Sequence, residues 1–177
     1  MKAMQSIPMD KCAEYVTKLL LVHPKYAILF LLGRATGLRI SEILSITVKD
    51  YNNPMYVYQS KTKKIKNVEI PPKLHDCVQN YINETKLESN HALIPSTPWR
   101  KEKPLSRTQA YQAMRRTASE MGLEGIGTHS MRKTYAKVIY AETGSLRAVK
   151  EALDHEHTET TVRYLVNLDE VLKNAMQ

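Results

Sequence analysis

Four separated stretches of the chain hold residue types suited to handling a phosphate ester. The stretch from Thr128 to Lys133, read as THSMRK, sets His129 and Arg132 three residues apart. On a helix that spacing shares one face, with Cβ atoms about 5–6 Å apart. A proton-transfer group beside a permanent cation suits a phosphate oxyanion, although H-x-x-R by itself is more often a solvated helix start. In GLRISE, residues 37–42, Arg39 opens a predicted helix whose first N–H groups also favour anions. Glu42 lies one turn on, placed to orient a neighbouring Arg or His; an ordinary helical ion pair is the plainer meaning. Lys61, in a run with Lys63, Lys64 and Lys66, can clamp a phosphate or protonate a leaving oxygen. A basic hairpin tip can equally grip a nucleic-acid backbone without specificity. The stretch LDHEHTETTVRYL, residues 153–165, carries His155, His157 and, nine positions after His155, Tyr164. A phenol of pKa ~10 attacks phosphorus only where cations favour its phenolate and a positive pocket holds the developing charge. With 10 tyrosines in the chain, half-buried packing is the common use of one.

Each stretch is weak alone; together they describe one reaction. Two arginines brace a phosphodiester, histidines and a lysine move protons, and a tyrosine attacks phosphorus. No zinc-type Cys/His spacing occurs among the 2 cysteines and 6 histidines, so the expectation is chemistry without a resident metal or other cofactor. Cys12 and Cys77 stand far apart and are expected to be free, buried thiols in a reducing compartment.

The composition fits such a substrate. Lys and Arg number 26 against 18 acids, a net charge of +8, which favours a polyanionic partner with nucleic acid foremost. No apolar run reaches the roughly 18 residues of a membrane span, and the first ten residues lack the apolar core of a secretion signal. The expected location is the cytoplasm, on the nucleoid when DNA is bound.

The elements that must position these residues are mostly helical. Residues 9–21 set Ala13, Val16, Leu19 and Leu20 on one face with Asp10 as cap. Residues 25–36 form a buried helix behind Pro24 and are ended by Gly37. A short helix spans 40–46. Turn chemistry at Tyr51–Met55, β-rich residues and the lysine run predict a small three-stranded antiparallel sheet near residues 48–70. Helices follow at 72–84 (Leu74, Val78, Tyr81 and Ile82 at helical spacing), 106–121 (capped by Ser106, stopped by Gly122), 129–142 and 146–153 (capped by Ser145), with a proline-rich loop over 85–105. Residues 167–177 are amphipathic through Leu168, Val171, Leu172 and Met176. The class is α+β, mainly α, as one domain over 1–177.

In this order, GLRISE, a lysine hairpin, HSMR and L-x-H with a tyrosine nine residues after the histidine, the chain resembles the catalytic domain of the tyrosine recombinase (phage integrase) family over roughly residues 10–177. The resemblance implies Arg39 and Arg132 as the phosphate-binding pair. His129 would assist proton transfer and His155 would hydrogen-bond the same phosphate. Lys61 would protonate the leaving 5′ oxygen, Glu42 would support, and Tyr164 would be the nucleophile forming a 3′-phosphotyrosyl link. Candidate DNA contacts are Lys63, Lys64, Arg107, Arg115 and Lys133. Double-stranded DNA is the implied partner, with other recombinase protomers in a tetramer on DNA (a monomer alone) and accessory DNA-bending proteins. The segment 167–177 either packs on its own core or docks on a neighbouring protomer.

Two departures stand out. The family commonly has Gly before the second histidine, where this chain has Asp154. Only about nine residues precede the catalytic region, so the N-terminal core-binding domain is expected to be absent, which would leave fewer phosphates neutralised and binding more salt-sensitive. The rival readings are a type IB topoisomerase-like activity and a degenerate DNA-binding regulator. The histidine of HSMR speaks against the first, and the presence of Arg39, His129, Arg132, His155 and Tyr164 together speaks against the second.

Overall fold

The apolar run that begins at Tyr26 decides the architecture, because a helix hydrophobic on every side has to sit in the middle. It is helix α2 (Pro24–Thr36) of the structure, a computed structural model that describes residues 4–154. His155, His157, Tyr164 and residues 167–177 lie outside the described residues. In α2, Ala27, Ile28, Leu29, Phe30, Leu32 and Gly33 are all buried. The proline opens the helix where its missing N–H costs nothing, and the His23 ring accepts from Lys25 N–H as the cap. Gly37 closes it in the left-handed conformation at φ 66°.

Around α2 pack α1 (Cys12–Val22), α4 (Pro72–Glu84), α5 (Arg107–Glu120) and α6 (Thr128–Thr143). The inward face of α1 is Cys12, Tyr15 and Leu19, with Val16 beside them; Ala13 and Leu20 face outwards. The expected stripe is therefore corrected by a small rotation. Tyr15 buries a large ring, edge-on to Phe30, and its hydroxyl donates to Met114 O at 2.8 Å, which outweighs burying Ala13. Asp10 belongs to a 3-10 turn, Met9–Lys11, and caps nothing. On α4 the predicted Leu74, Val78, Tyr81 and Ile82 are the buried residues. Cys12 is buried and free, but Cys77 is exposed, at the mouth of a hollow shared with Leu31, Leu74, Tyr135 and Ile139.

The expected three-stranded sheet is a two-stranded hairpin, β1 (Met55–Gln59) against β2 (Lys64–Val68), with Tyr58 opposite Ile65 and Gln59 opposite Lys64. Residues Val48–Asp50 form a 3-10 turn instead of a third strand. The Thr47 hydroxyl donates to the Asp50 carboxylate and curls the chain locally. A second hairpin, β3 (Pro95–Thr97) with β4 (Arg100–Pro104), lies inside the stretch expected to be loop. Its prolines pair with each other at the open end, where neither has to donate to a ladder. Ser106 caps α5 through Gln109 N–H, as predicted, and Ser145 caps α7 (Leu146–Ala152) through Ala148 N–H.

Helices α2 and α6 approach each other closely. A Cβ on Gly33 would stand 2.6 Å from Met131 Sδ, and one on Gly37 would overlap the Tyr135 ring. Glycines one turn apart thus let α6, which carries HSMR, lie directly against the helix that ends at GLRISE. Gly37→Ala should cost about 2–4 kcal/mol, combining a left-handed alanine with overpacking. Gly144→Ala, at φ 61° with open space around it, should cost only about 1 kcal/mol. Urea denaturation of the two variants checks the difference.

Candidate active site

Arg39 is placed by the turn that Gly37 makes possible. It is the cap residue of α3 (Ile40–Leu44), in extended conformation. Glu42, one turn on and only 3% exposed, binds it twice: Oε2 accepts from the Arg39 backbone N–H at 2.7 Å and Oε1 from Nη1 at 2.8 Å. A buried carboxylate holding both ends of one residue fixes the guanidinium orientation, with an ion-pair geometry stronger than a neutral hydrogen bond. The Arg39 side chain keeps 20% of its surface exposed, so the cation is aimed and reachable.

Arg132 is the largest fully buried side chain among the described residues. From the first turns of α6 it donates through Nη1 to Gly37 O and through Nη2 to Leu153 O. One cation thereby ties the turn before Arg39 to the chain just ahead of residue 155. His129 lies one turn earlier on α6. It is exposed, so it stands on the rim of the packed region. Its pKa is nonetheless held below the ordinary 6.5, first by desolvation against the protein behind it, then by Arg132, Lys133 and Arg39. The charge of Arg39 therefore reaches His129 across the gap between α3 and α6.

The structure thus brings Arg39, Glu42, His129 and Arg132 into one cluster. Lys61 sits exposed in the β1–β2 turn and makes no hydrogen bond or ion pair among the described residues. Lys63, at φ 54°, and Lys64 are exposed in the same hairpin. The fourth lysine of the run behaves differently: Lys66 Nζ donates to Ala152 O at 2.6 Å and to Asp154 Oδ2 at 2.7 Å. Gln59 joins it, with Nε2 donating to the same carboxylate oxygen at 3.1 Å. Sequence reasoning missed Gln59 and named Lys66 only as a member of the lysine run. The signal for Gln59 was the period-two alternation Met55, Val57, Gln59, which turns a polar amide inwards.

Of the remaining candidates, Arg107 and Arg115 are exposed on α5. Lys133, expected to face DNA, donates instead to Met4 O at 2.6 Å and has its pKa lowered, chiefly by burial and then by Lys137. It anchors the N-terminal segment, which is also fixed by Gln5 N–H to Gly125 O and Ile7 N–H to the Thr134 hydroxyl. Among the described residues no group of three His, Cys, Asp or Glu could hold a metal ion, and no helix is long and apolar enough to cross a membrane.

Residues 2–170 match the model of the phage integrase family. The chain belongs to the phage integrase family. This integrase-family chain is 35% identical over 164 residues to the probable integrase/recombinase YoeC of Bacillus subtilis (strain 168), covering 92% of the chain and 88% of that protein. It is 28% identical to tyrosine recombinase XerA of Thermococcus kodakarensis, covering 99% of the chain but 64% of that protein. In fold it superposes on the crystal structure of XerA recombinase with a TM-score of 0.77 at 14% identity, over 100% of the chain and 67% of the other. XerH recombinase in a post-cleavage complex with palindromic difH substrate gives 0.75 at 20% identity, over 99% and 53%. The integrase-family chain thus spans most of the Bacillus protein, about two thirds of XerA and about half of XerH.

Two outcomes follow for the cluster. The His129 ring should titrate below 6.5 in NMR spectra of the free chain and move upwards when sulfate or a DNA duplex is added. The sign for stability follows from the depressed value. As pH falls through about 6.5 the unfolded chain takes up the proton first, so this histidine's contribution is complete above that pH and erodes as pH drops towards the folded value. Second, Arg132→Leu should destabilise the fold by about 2–6 kcal/mol, since two buried carbonyls lose their donor at ~1–3 kcal/mol each. Arg39→Gln should cost less, about 1–3 kcal/mol, since the buried Glu42 carboxylate loses its cation but keeps the residue-39 backbone N–H, as calorimetry of the pair would read.

Proposed function

We propose that the chain is the catalytic domain of a site-specific DNA recombinase, cleaving and rejoining strands through a 3′-phosphotyrosyl intermediate. The observation that carries this reading is the convergence of Arg39, oriented by Glu42, with His129 and Arg132 at one place, where Arg132 also holds the backbone of Leu153. A phosphodiester drawn there meets the reachable Arg39 guanidinium and the His129 imidazole, within the field of the buried Arg132. The arginines offset the charge that grows on the non-bridging oxygens in the transition state. The neutral His129 can pass a proton or donate a hydrogen bond at the same oxygens.

In this reading Tyr164 Oη attacks phosphorus, forming the O–P bond as the bond from phosphorus to the 5′ oxygen breaks. The phenolic proton passes to a base, and Lys61 gives a proton to the departing 5′ oxygen. His155 hydrogen-bonds the phosphate. The phosphotyrosyl ester keeps the energy of the bond it replaces, so a 5′ hydroxyl can reverse the step without ATP. A net charge of +8 supports DNA as the partner, as does the likeness in fold to XerH, whose structure holds its difH substrate. Assembly with further protomers on DNA, help from DNA-bending proteins, and a cytoplasmic site of action on the nucleoid complete the proposal.

Incubation with supercoiled plasmid at low salt, followed by a denaturing quench, tests it. Protein-linked nicks are expected from the wild type and should vanish in Tyr164→Phe. Nicks that survive the substitution would locate the nucleophile elsewhere. Firm binding with no linked product in the wild type would favour a DNA-occupying regulator instead.

A further inference from the structure

Gln59 is a buried amide, 2% exposed, and both of its ends are committed. Its Oε1 accepts from the Thr62 hydroxyl at 2.9 Å and its Nε2 donates to Asp154 Oδ2 at 3.1 Å. The carboxylate is acceptor-only, so the amide has a single orientation that satisfies both neighbours. The Gln59 carbonyl also accepts Lys63 N–H at 2.8 Å. The turn 60–63, with Lys61 in it, is therefore closed by Gln59 onto Thr62 and Lys63, the two residues that follow Lys61. That residue is in turn fastened to Asp154, which sits at φ 51° directly before His155 in sequence.

Lys66 completes the fastening. Its ammonium bridges the Asp154 carboxylate and the Ala152 carbonyl at the end of α7, in a pair whose side chains keep 17% and 35% of their surface. A cation on the last carbonyls of a helix is favourable in its own right. The Asp154 carboxylate thus receives Gln59 from β1 and Lys66 from β2, one donor from each strand of the hairpin. Cutting the carboxylate away would leave the buried Gln59 amide without its acceptor and loosen the hairpin's hold on the end of α7.

We propose that Asp154, Gln59 and Lys66 form a clasp that positions the Lys61 turn for proton delivery to the leaving 5′ oxygen. They are positioning residues: none need touch DNA, and they act through where Lys61 is held. The proposal rests on the recombinase reading above. In a plainer role the clasp only caps α7 and stabilises the fold, and the two roles differ in what a change of leaving group does. A 5′-bridging sulfur leaves as a thiolate without needing a proton, so a duplex carrying one makes a proton donor dispensable.

The test compares cleavage of two otherwise identical duplexes, one with the ordinary 5′ oxygen and one with 5′-bridging sulfur at the scissile bond. Asp154→Gly is the first variant, since glycine adopts a positive φ without strain, and Gln59→Met is the second. Each should cleave the oxygen duplex about 10- to 100-fold more slowly, the scale of a small misplacement of a catalytic group. Each should regain near wild-type rate on the sulfur duplex, as Lys61→Ala should. In the free chain, Asp154→Gly should also speed amide exchange at Lys63. Equal slowing on both duplexes, or no slowing on either, overturns the clasp as a positioning device. A wild type that cleaves neither duplex overturns the recombinase reading beneath it, and unchanged exchange at Lys63 overturns the clasp independently of cleavage.

Discussion

A guanidinium buried in protein must be surrounded by acceptors, and Arg132 meets that requirement with backbone carbonyls. Its contacts to Gly37 O and Leu153 O join two loops that are 116 residues apart in sequence, by subtraction of those positions. Both of these acceptors are neutral carbonyls, so the two bonds position the guanidinium through the backbone. The rest of the cluster is consistent with that choice. The Glu42 carboxylate is spent on Arg39, and the surrounding cations add to burial in holding the His129 imidazole neutral. In the proposed reaction, arginines fixed in this way would be oriented for a phosphate before one arrives, which is the electrostatic form of preorganisation.

The glycines explain how that arginine reaches its acceptors. Gly33 and Gly37 remove side chains where Met131 and Tyr135 need the space, and the left-handed turn at Gly37 points its carbonyl to where Arg132 can use it. The pattern around residues 33–42 thus encodes two things at once, the end of a core helix and the floor of a charged site. That overlap is why the helix boundaries and the site residues there were legible together. The capping residues Ser106 and Ser145, the Pro24 start and the inward face of α4 were equally readable, since each depends on local chemistry alone.

What was not legible depends on contacts between distant segments. Lys133 looks like any exposed lysine in sequence, but the N-terminal segment lies across α6 and takes its ammonium. The orientation of α1 turns on whether Tyr15 finds a carbonyl 99 residues away. The third strand fails because a threonine and an aspartate close a 3-10 turn first. Lysine runs are similarly opaque. Lys61, Lys63, Lys64 and Lys66 look interchangeable, and only the folded hairpin separates Lys66, which is engaged with α7, from Lys61, which is not.

The left-handed backbone at Asp154 has a consequence for how relatives of this chain are recognised. A position at φ 51° excludes most side chains, but it admits aspartate and asparagine as well as glycine. The constraint at this step of the chain is a backbone angle, and glycine is one spelling of it. Patterns that demand the letter G before the second histidine would pass over sequences that meet the same geometric requirement. Patterns written as an allowed set of residues, read together with a polar inward residue at the end of β1, would retain them.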